Sequence, residues 1–216
     1  MIKNILFDFD GVIADSVNVK TEAFYNMYLP YGKEIAEKVK EHHLNNGGMS
    51  RFHKFLHYHK TYLNEDINDS QISQLANDFS HLVLDGVVNS PLVPGILAFL
   101  KANYKRKKFW IITGTPTDEI KIILDRKNLT KYFIDSFGSP QLKSAWTKLV
   151  LKDNQLNNDE TVFIGDALAD YEAAVSNNIG FILRLTEENI NLFSTKNNIL
   201  LKINDFINFE QNLELL

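Results

Sequence analysis

Short, almost wholly apolar runs separated by segments of helical periodicity constrain this chain more than any other feature. The runs are Lys3–Phe9, Lys108–Thr113, Tyr132–Phe137, Thr161–Gly165 and Gly180–Leu185. Residues 109–112 and 162–164 contain almost nothing polar, as strands covered on both faces require. Helical patterns occupy Gly95–Tyr104, Thr117–Asn128, Leu142–Asn154 and Ala169–Asn178. The alternation predicts a doubly wound α/β domain built on a parallel, Rossmann-like sheet. Sites in such domains lie beyond the C-terminal ends of the strands. Asp8, Asp10, Thr113, Ser139, Pro140 and Asp166 all fall just past expected strand ends.

Residues 17–91 follow another rule. They hold no convincing buried strand. Apolar residues recur at helical spacing instead: Ala23, Phe24, Met27 and Tyr28, then Phe52, Phe55 and Leu56, then Ile72, Leu75, Ala76, Phe79, Leu82 and Val83. Stretches rich in Asn, Asp and Gly at 45–48 and 64–70 separate these helices, and Pro91, Pro94 and Gly95 mark the return. The expected organisation is an α/β core from 1–16 and 92–216 interrupted by a helical cap over 17–91. The tail is expected to add one more strand or turn over Ile199–Ile203 and a closing helix.

Composition removes several function classes. A chain of 216 residues that is 44% hydrophobic and 23% charged can bury a substantial core. A net charge of −4 offers no electrostatic footprint for nucleic acid or an anionic membrane. With no cysteine there is no disulfide, thiolate–metal site or cysteine nucleophile. The first residues lack a cationic leader and a small-residue cleavage site, and no apolar run approaches the ~20 residues of a membrane helix. The expected location is the cytoplasm. Oligomeric state is not readable.

Polar residues at the strand ends carry the chemistry. Ile5-Leu6-Phe7 runs into Asp8-Phe9-Asp10-Gly11-Val12, which crowds two carboxylates at a point where Gly11 permits a sharp turn. Such crowding suits a divalent cation held between them, or a shared proton. Thr113-Gly114-Thr115-Pro116 offers a hydroxyl and free backbone N–H groups, an arrangement able to hold an anion. Lys143 falls on the first turn of a helix, where an ammonium opposes the dipole; a bound phosphate would explain it. Lys148 is the alternative. Gly165-Asp166-Ala167-Leu168-Ala169-Asp170 breaks another strand with two acids four residues apart.

Asp8-Phe9-Asp10-Gly11-Val12, Thr113-Gly114, Lys143 and Gly165–Asp170, in this order, resemble the four motifs of the haloacid dehalogenase (HAD) superfamily in its phosphatase branch. The likeness covers essentially the whole chain. The insert resembles the small helical cap of phosphoglycolate-phosphatase-like and β-phosphoglucomutase-like members. The resemblance implies that Asp8 is a nucleophile forming an aspartyl-phosphate and that Asp10 is the general acid and base. It implies Mg²⁺ held by Asp8, the Asp10 carbonyl and Asp166. Thr113 and Lys143 would bind the phosphoryl oxygens, with Gly114 and Asp170 in support.

Within the cap, Gly47-Gly48-Met49-Ser50-Arg51 resembles the Gly-x-Ser-Arg segment of phosphoglucomutase-like caps. Gly48, Ser50 and an exposed Arg51 are thus expected to meet the substrate, under a lid hinged near Asp15–Val17 and Ser90–Pro94. Lys20 stands where those mutases have a histidine, which disfavours a mutase. Asp10 and Asp166 disfavour a 2-haloacid dehalogenase, and the full set of catalytic positions disfavours a non-catalytic binding protein. His53, His57 and His59 imitate zinc spacing, but a solvated helix face is the expected reading. Lys105-Arg106-Lys107-Lys108 is read as a basic loop entering a strand. The expectation is a Mg²⁺-dependent phosphatase acting on a small phosphorylated metabolite, such as a sugar phosphate or a phosphoglycolate-like ester, with no nucleic-acid or membrane partner.

Overall fold

The computed structural model describes residues 1–214 and 216. Among them, six strands form one parallel sheet: β1 (Asn4–Phe7), β2 (Lys108–Pro116), β3 (Asp135–Ser139), β4 (Thr161–Gly165), β5 (Gly180–Arg184) and β6 (Ile199–Ile203), in the order β3-β2-β1-β4-β5-β6. The chain therefore starts in the middle of the sheet, builds outward on one side, then returns to build the other. Leu6 lies beside Trp110 and Phe163, and Phe7 beside Ile111 and Ile164.

Strand alternation sorts these residues into two cores. Ile5, Phe7, Ile111, Val162 and Ile164 face one apolar cluster, while Leu6, Trp110, Ile112 and Phe163 face another. Helices α5 (Ile96–Asn103) and α6 (Thr117–Arg126) and the closing α9 (Phe209–Leu213) cover the first face, whereas α7 (Lys143–Asp153) and α8 (Leu168–Ser176) cover the second. Burial on both faces explains why these runs carry no polar residue.

The departures from the expected strand limits that bear on the site lie in β1, β2 and β3, and β3 runs on to include Ser139. β1 ends at Phe7, although Asp8 still donates its N–H to the Ile164 carbonyl (2.9 Å). β2 continues past Thr113 to Pro116, with a register break after Ile112, so Thr113 sits in a loosened strand end rather than beyond it. β3 starts only at Asp135, because Thr130–Tyr132 is a 3₁₀ turn and Tyr132 faces the core from it.

Between β1 and α5 lie the cap helices α1 (Val17–Tyr28), α2 (Lys33–Asn45), α3 (Arg51–Tyr58) and α4 (Asp69–Asn89). A reciprocal capping box starts α4: Gln71 N–H donates to Asn68 Oδ1 (3.0 Å) and Asn68 N–H to Gln71 Oε1 (2.9 Å). Phe24 is the hub of the cap core. Its ring centroid lies 4.2 Å from that of Phe79, 5.6 Å from Phe55 and 5.8 Å from Tyr58. The two linkers run side by side, with Asp15 N–H donating to the Pro91 carbonyl (2.9 Å) and Val93 N–H to that of Ile13 (3.0 Å). The expected solvated histidine face holds at His53, which is exposed, and is corrected at the other two. His59 is buried at the start of a π-helical turn, His59–Leu63, and His57 stacks on His42 with centroids 4.3 Å apart. Among the described residues, no helix is long and apolar enough to cross a membrane.

Candidate active site

Strand geometry delivers four acids and a lysine to one place. Asp8 follows β1 and is almost fully buried. Its Oδ1 accepts the Phe9 N–H (2.7 Å), which fixes the carboxylate, and its Oδ2 lies 2.8 Å from Lys143 Nζ. Lys143 opens α7 and also donates to Asp170 Oδ1 (2.6 Å), while Asp170 Oδ2 accepts the Ala167 N–H (3.1 Å) and caps α8. Lys148 is exposed and the alternative lapses. Burial disfavours the Lys143 ammonium, but Asp170 and Asp8 together more than offset it and hold it charged. One ammonium cannot fully serve two carboxylates. Burial, against the pull of Lys143, therefore pushes the Asp170 carboxyl up to about 7.

Asp10 has its own partners. Ser16 Oγ donates to Asp10 Oδ1 (2.7 Å), and Thr115 Oγ1 (3.1 Å) and the Lys20 ammonium reach Oδ2. Lys20 also meets Thr115 Oγ1 (2.6 Å). Burial raises the Asp10 carboxyl, yet Lys20, with Ser16 and Thr115, leaves it below the ordinary range. Thr113 is buried beside them, and its Oγ1 accepts the Thr115 N–H (3.3 Å).

The residues present fit a hard divalent cation. One carboxylate oxygen each from Asp8, Asp166 and Asp170 lies within 4.8 Å of the other two. With Asp170 committed to Lys143 and the Ala167 N–H, Asp8 and Asp166 are the natural donors, an all-oxygen set suited to Mg²⁺. Desolvation, with Asp8 and then Asp170 adding repulsion, pushes the Asp166 carboxyl well above its usual value, a cost that a cation would relieve. Gly11, at φ +74°, leaves room for this carboxylate; a Cβ there would collide with it. Asn189 Nδ2 donates to the Asp166 carbonyl (2.8 Å) and holds its loop.

The cap closes over this centre through a glycine pair. A Cβ on Gly48 would meet Lys143 Nζ at 3.0 Å, and one on Gly114 would meet the Gly48 carbonyl at 2.7 Å. Ser50 caps α3, accepting the Phe52 N–H (3.3 Å). Arg51 is corrected from the exposed group expected of it. It is only 4% exposed. Its guanidinium grips Glu119 of α6 at 2.7 and 2.8 Å, donates to Ser80 Oγ (2.6 Å), and lies 4.7 Å over the Phe79 ring. This bidentate pair ties cap to core and occupies the fork that was expected to hold substrate. Asp8, Asp10, Thr113, Gly114, Asp166, Gly48 and Arg51 all line one cavity of about 560 Å³.

Several residues escaped the motif reading. Lys20 was noted only as a departure, and Thr115, Glu119, His43 and Lys54 were given no role. A signal existed for the two lysines. Lys20 shares a helix face with Phe24 and Tyr28, and Lys54 shares one with Tyr58; all are buried. A lysine at a core position of an amphipathic helix has to be answered by a partner.

Among solved structures, the chain resembles a predicted phosphoglycolate phosphatase from Haemophilus somnus 129PT (TM-score 0.74, 19% identity, 98% of each chain covered). It is equally close to the β-phosphoglucomutase of Clostridium difficile (TM-score 0.75, 19% identity, covering 99% of this chain and 96% of that one). A third likeness is the Bacillus subtilis HAD hydrolase YfnB, described as bound to magnesium and showing interdomain movement (TM-score 0.70, 15% identity, 99% of each chain). These identities establish shared fold alone. No curated protein matches the chain. The haloacid dehalogenase-like hydrolase family model matches residues 5–183, from inside β1 to inside β5, and the chain belongs to that family.

Proposed function

We propose that this chain is a Mg²⁺-dependent phosphatase of the cytoplasm acting on a small phosphorylated metabolite. The observation that carries the reading is the buried Asp8–Lys143–Asp170 ion-pair chain with Asp166 and Asp10 at neighbouring strand ends. Asp8 attacks phosphorus, the ester P–O bond breaks, and Asp10 gives its proton to the leaving oxygen. Water then attacks phosphorus of the aspartyl-phosphate while Asp10 takes its proton, the bond from Asp8 oxygen to phosphorus breaks, and inorganic phosphate leaves. Lys20 favours ionised Asp10, the form that the second step needs. The negative charge of an arriving phosphoryl group raises Asp10 again towards the protonated form that the first step needs. Thr113 and Lys143 hold phosphoryl oxygens. Mg²⁺, held by Asp8, Asp166 and the Asp10 carbonyl, would offset charge on the phosphoryl group. Cap closure excludes water.

Phosphate release from a panel of phosphomonoesters, with Mg²⁺ and with EDTA, tests this. Wild-type turnover should vanish in EDTA, and Asp8→Asn should fall to background in Mg²⁺ while its Tm is kept. Turnover by Asp8→Asn, or turnover indifferent to EDTA, sinks the mechanism.

A further inference from the structure

The cap wall holds four cations besides His43, and three of them have an acidic partner. Lys20 meets Asp10, Arg51 meets Glu119, and Lys40 lies 3.4 Å from Glu22. Lys54 is the exception. Among the described residues no carboxylate pairs with it, although it is 2% exposed and lines the cavity. Its Nζ donates to His43 Nδ1 (2.8 Å) and lies 5.5 Å from the Phe24 ring centroid. A buried ammonium without a counter-charge is costly, and a neutral imidazole and an aromatic face only partly replace water.

We propose that Lys54, oriented by His43, is the specificity-determining residue for the end of the substrate remote from phosphorus, and that it receives a carboxylate there. The inference rests on the phosphatase reading and narrows it to phosphomonoesters that carry an acid group. The cavity supports this division. Its core wall carries Asp8, Asp10 and Thr113, where the phosphoryl group is handled, and its cap wall carries Lys54 and His43 alongside the Phe24 ring. One ammonium with one imidazole matches the single charge of a carboxylate better than the double charge of a second phosphate. The surrounding charges agree. Desolvation, with repulsion from Lys20, Lys143 and Arg51, outweighs the attraction of Asp10 and lowers Lys54 to about 7, so an arriving anion would favour its charged form. His43 remains neutral, held down by burial and by Lys54.

Titration calorimetry in Mg²⁺ with two non-hydrolysable probes, phosphonoacetate and ethylphosphonate, tests the assignment. Wild type should bind phosphonoacetate about 10–100-fold more tightly, the value of one charge-assisted hydrogen bond. Lys54→Met should erase that preference and leave ethylphosphonate affinity unchanged, and Lys54→Arg should restore part of it. A thermal melt confirms that both variants fold. Equal affinity of wild type for the two probes overturns the proposal, as does a preference that survives in Lys54→Met, or failure of both probes to bind. Phosphate release is the separate readout. If the preference tracks Lys54 while no ester is hydrolysed, the phosphatase reading fails and the anion site stands.

Discussion

From Val17 to Phe79 the cap lines the cavity with Lys20, Lys40, His43, Arg51 and Lys54 and with no carboxylate, whereas the core offers Asp8, Asp10, Asp15, Asp166 and Glu188 against Arg184. The chain as a whole is acidic, at −4, so the cationic wall is local. The two walls also hold their charges differently. Core acids sit at strand ends and are fixed by short contacts to neighbouring loops. Cap cations rise from helices packed around aromatic rings, and two of the five reach across the seam for their acids. On the proposed phosphatase reading, bond-making would fall to the core and choice of substrate to the cap. In the arrangement seen here, Lys20 and Arg51 each bridge the seam to a core acid.

The strongest way to break this comparison is at Asp10. Asp10→Asn should lower kcat by about 10²–10⁴-fold on every ester, with the fold intact, because the acid–base step belongs to the core. Full activity would remove the core wall from the chemistry.

Cutting the seam comes next. Glu119→Gln leaves the Arg51 charge buried without its partner, at a cost of roughly 3–5 kcal/mol, read as a lower denaturation midpoint. The pair Arg51→Met with Glu119→Leu should recover most of that loss, since an apolar pair of similar volume often serves as well. A Glu119→Gln variant as stable as wild type would show that the seam is not held by this contact.

A pH-dependent test sharpens the picture of the cap wall. Lys54 titrates near 7 in the folded chain and near ~10.4 when unfolded, so between those values the unfolded chain binds more protons. Wild-type stability should therefore rise relative to Lys54→Met by about 1.4 kcal/mol per pH unit across that window. The variant's relative advantage is greatest at and below pH 7 and fades towards pH 10. Melting both proteins at pH 6.5 and 9.5 checks this, and a difference independent of pH would mean that Lys54 is already paired.

The sheet and its site were legible in the sequence because both depend on local pattern. A strand buried on two faces is mostly apolar, and polar residues gather where it ends or its pairing loosens; Phe7-Asp8, Ile112-Thr113 and Gly165-Asp166 show this directly. The cap helices were legible for the same reason, since Phe24, Tyr28, Phe55 and Phe79 recur at helical spacing. What stayed hidden was the pairing of charges. Arg51 and Glu119 are 68 positions apart, and Thr115 and Lys20 are 95 apart. Periodicity places each on a helix face or a strand end but says nothing about what faces it. A buried ionic partner is chosen by which surfaces meet when the cap docks, and the desolvation that makes the choice matter arises only in that closed arrangement. Arg51 thus has the sequence context of a substrate contact and the tertiary surroundings of a clasp, while Lys54, marked in the chain only by its place on a core helix face, becomes the buried cation left without an acid.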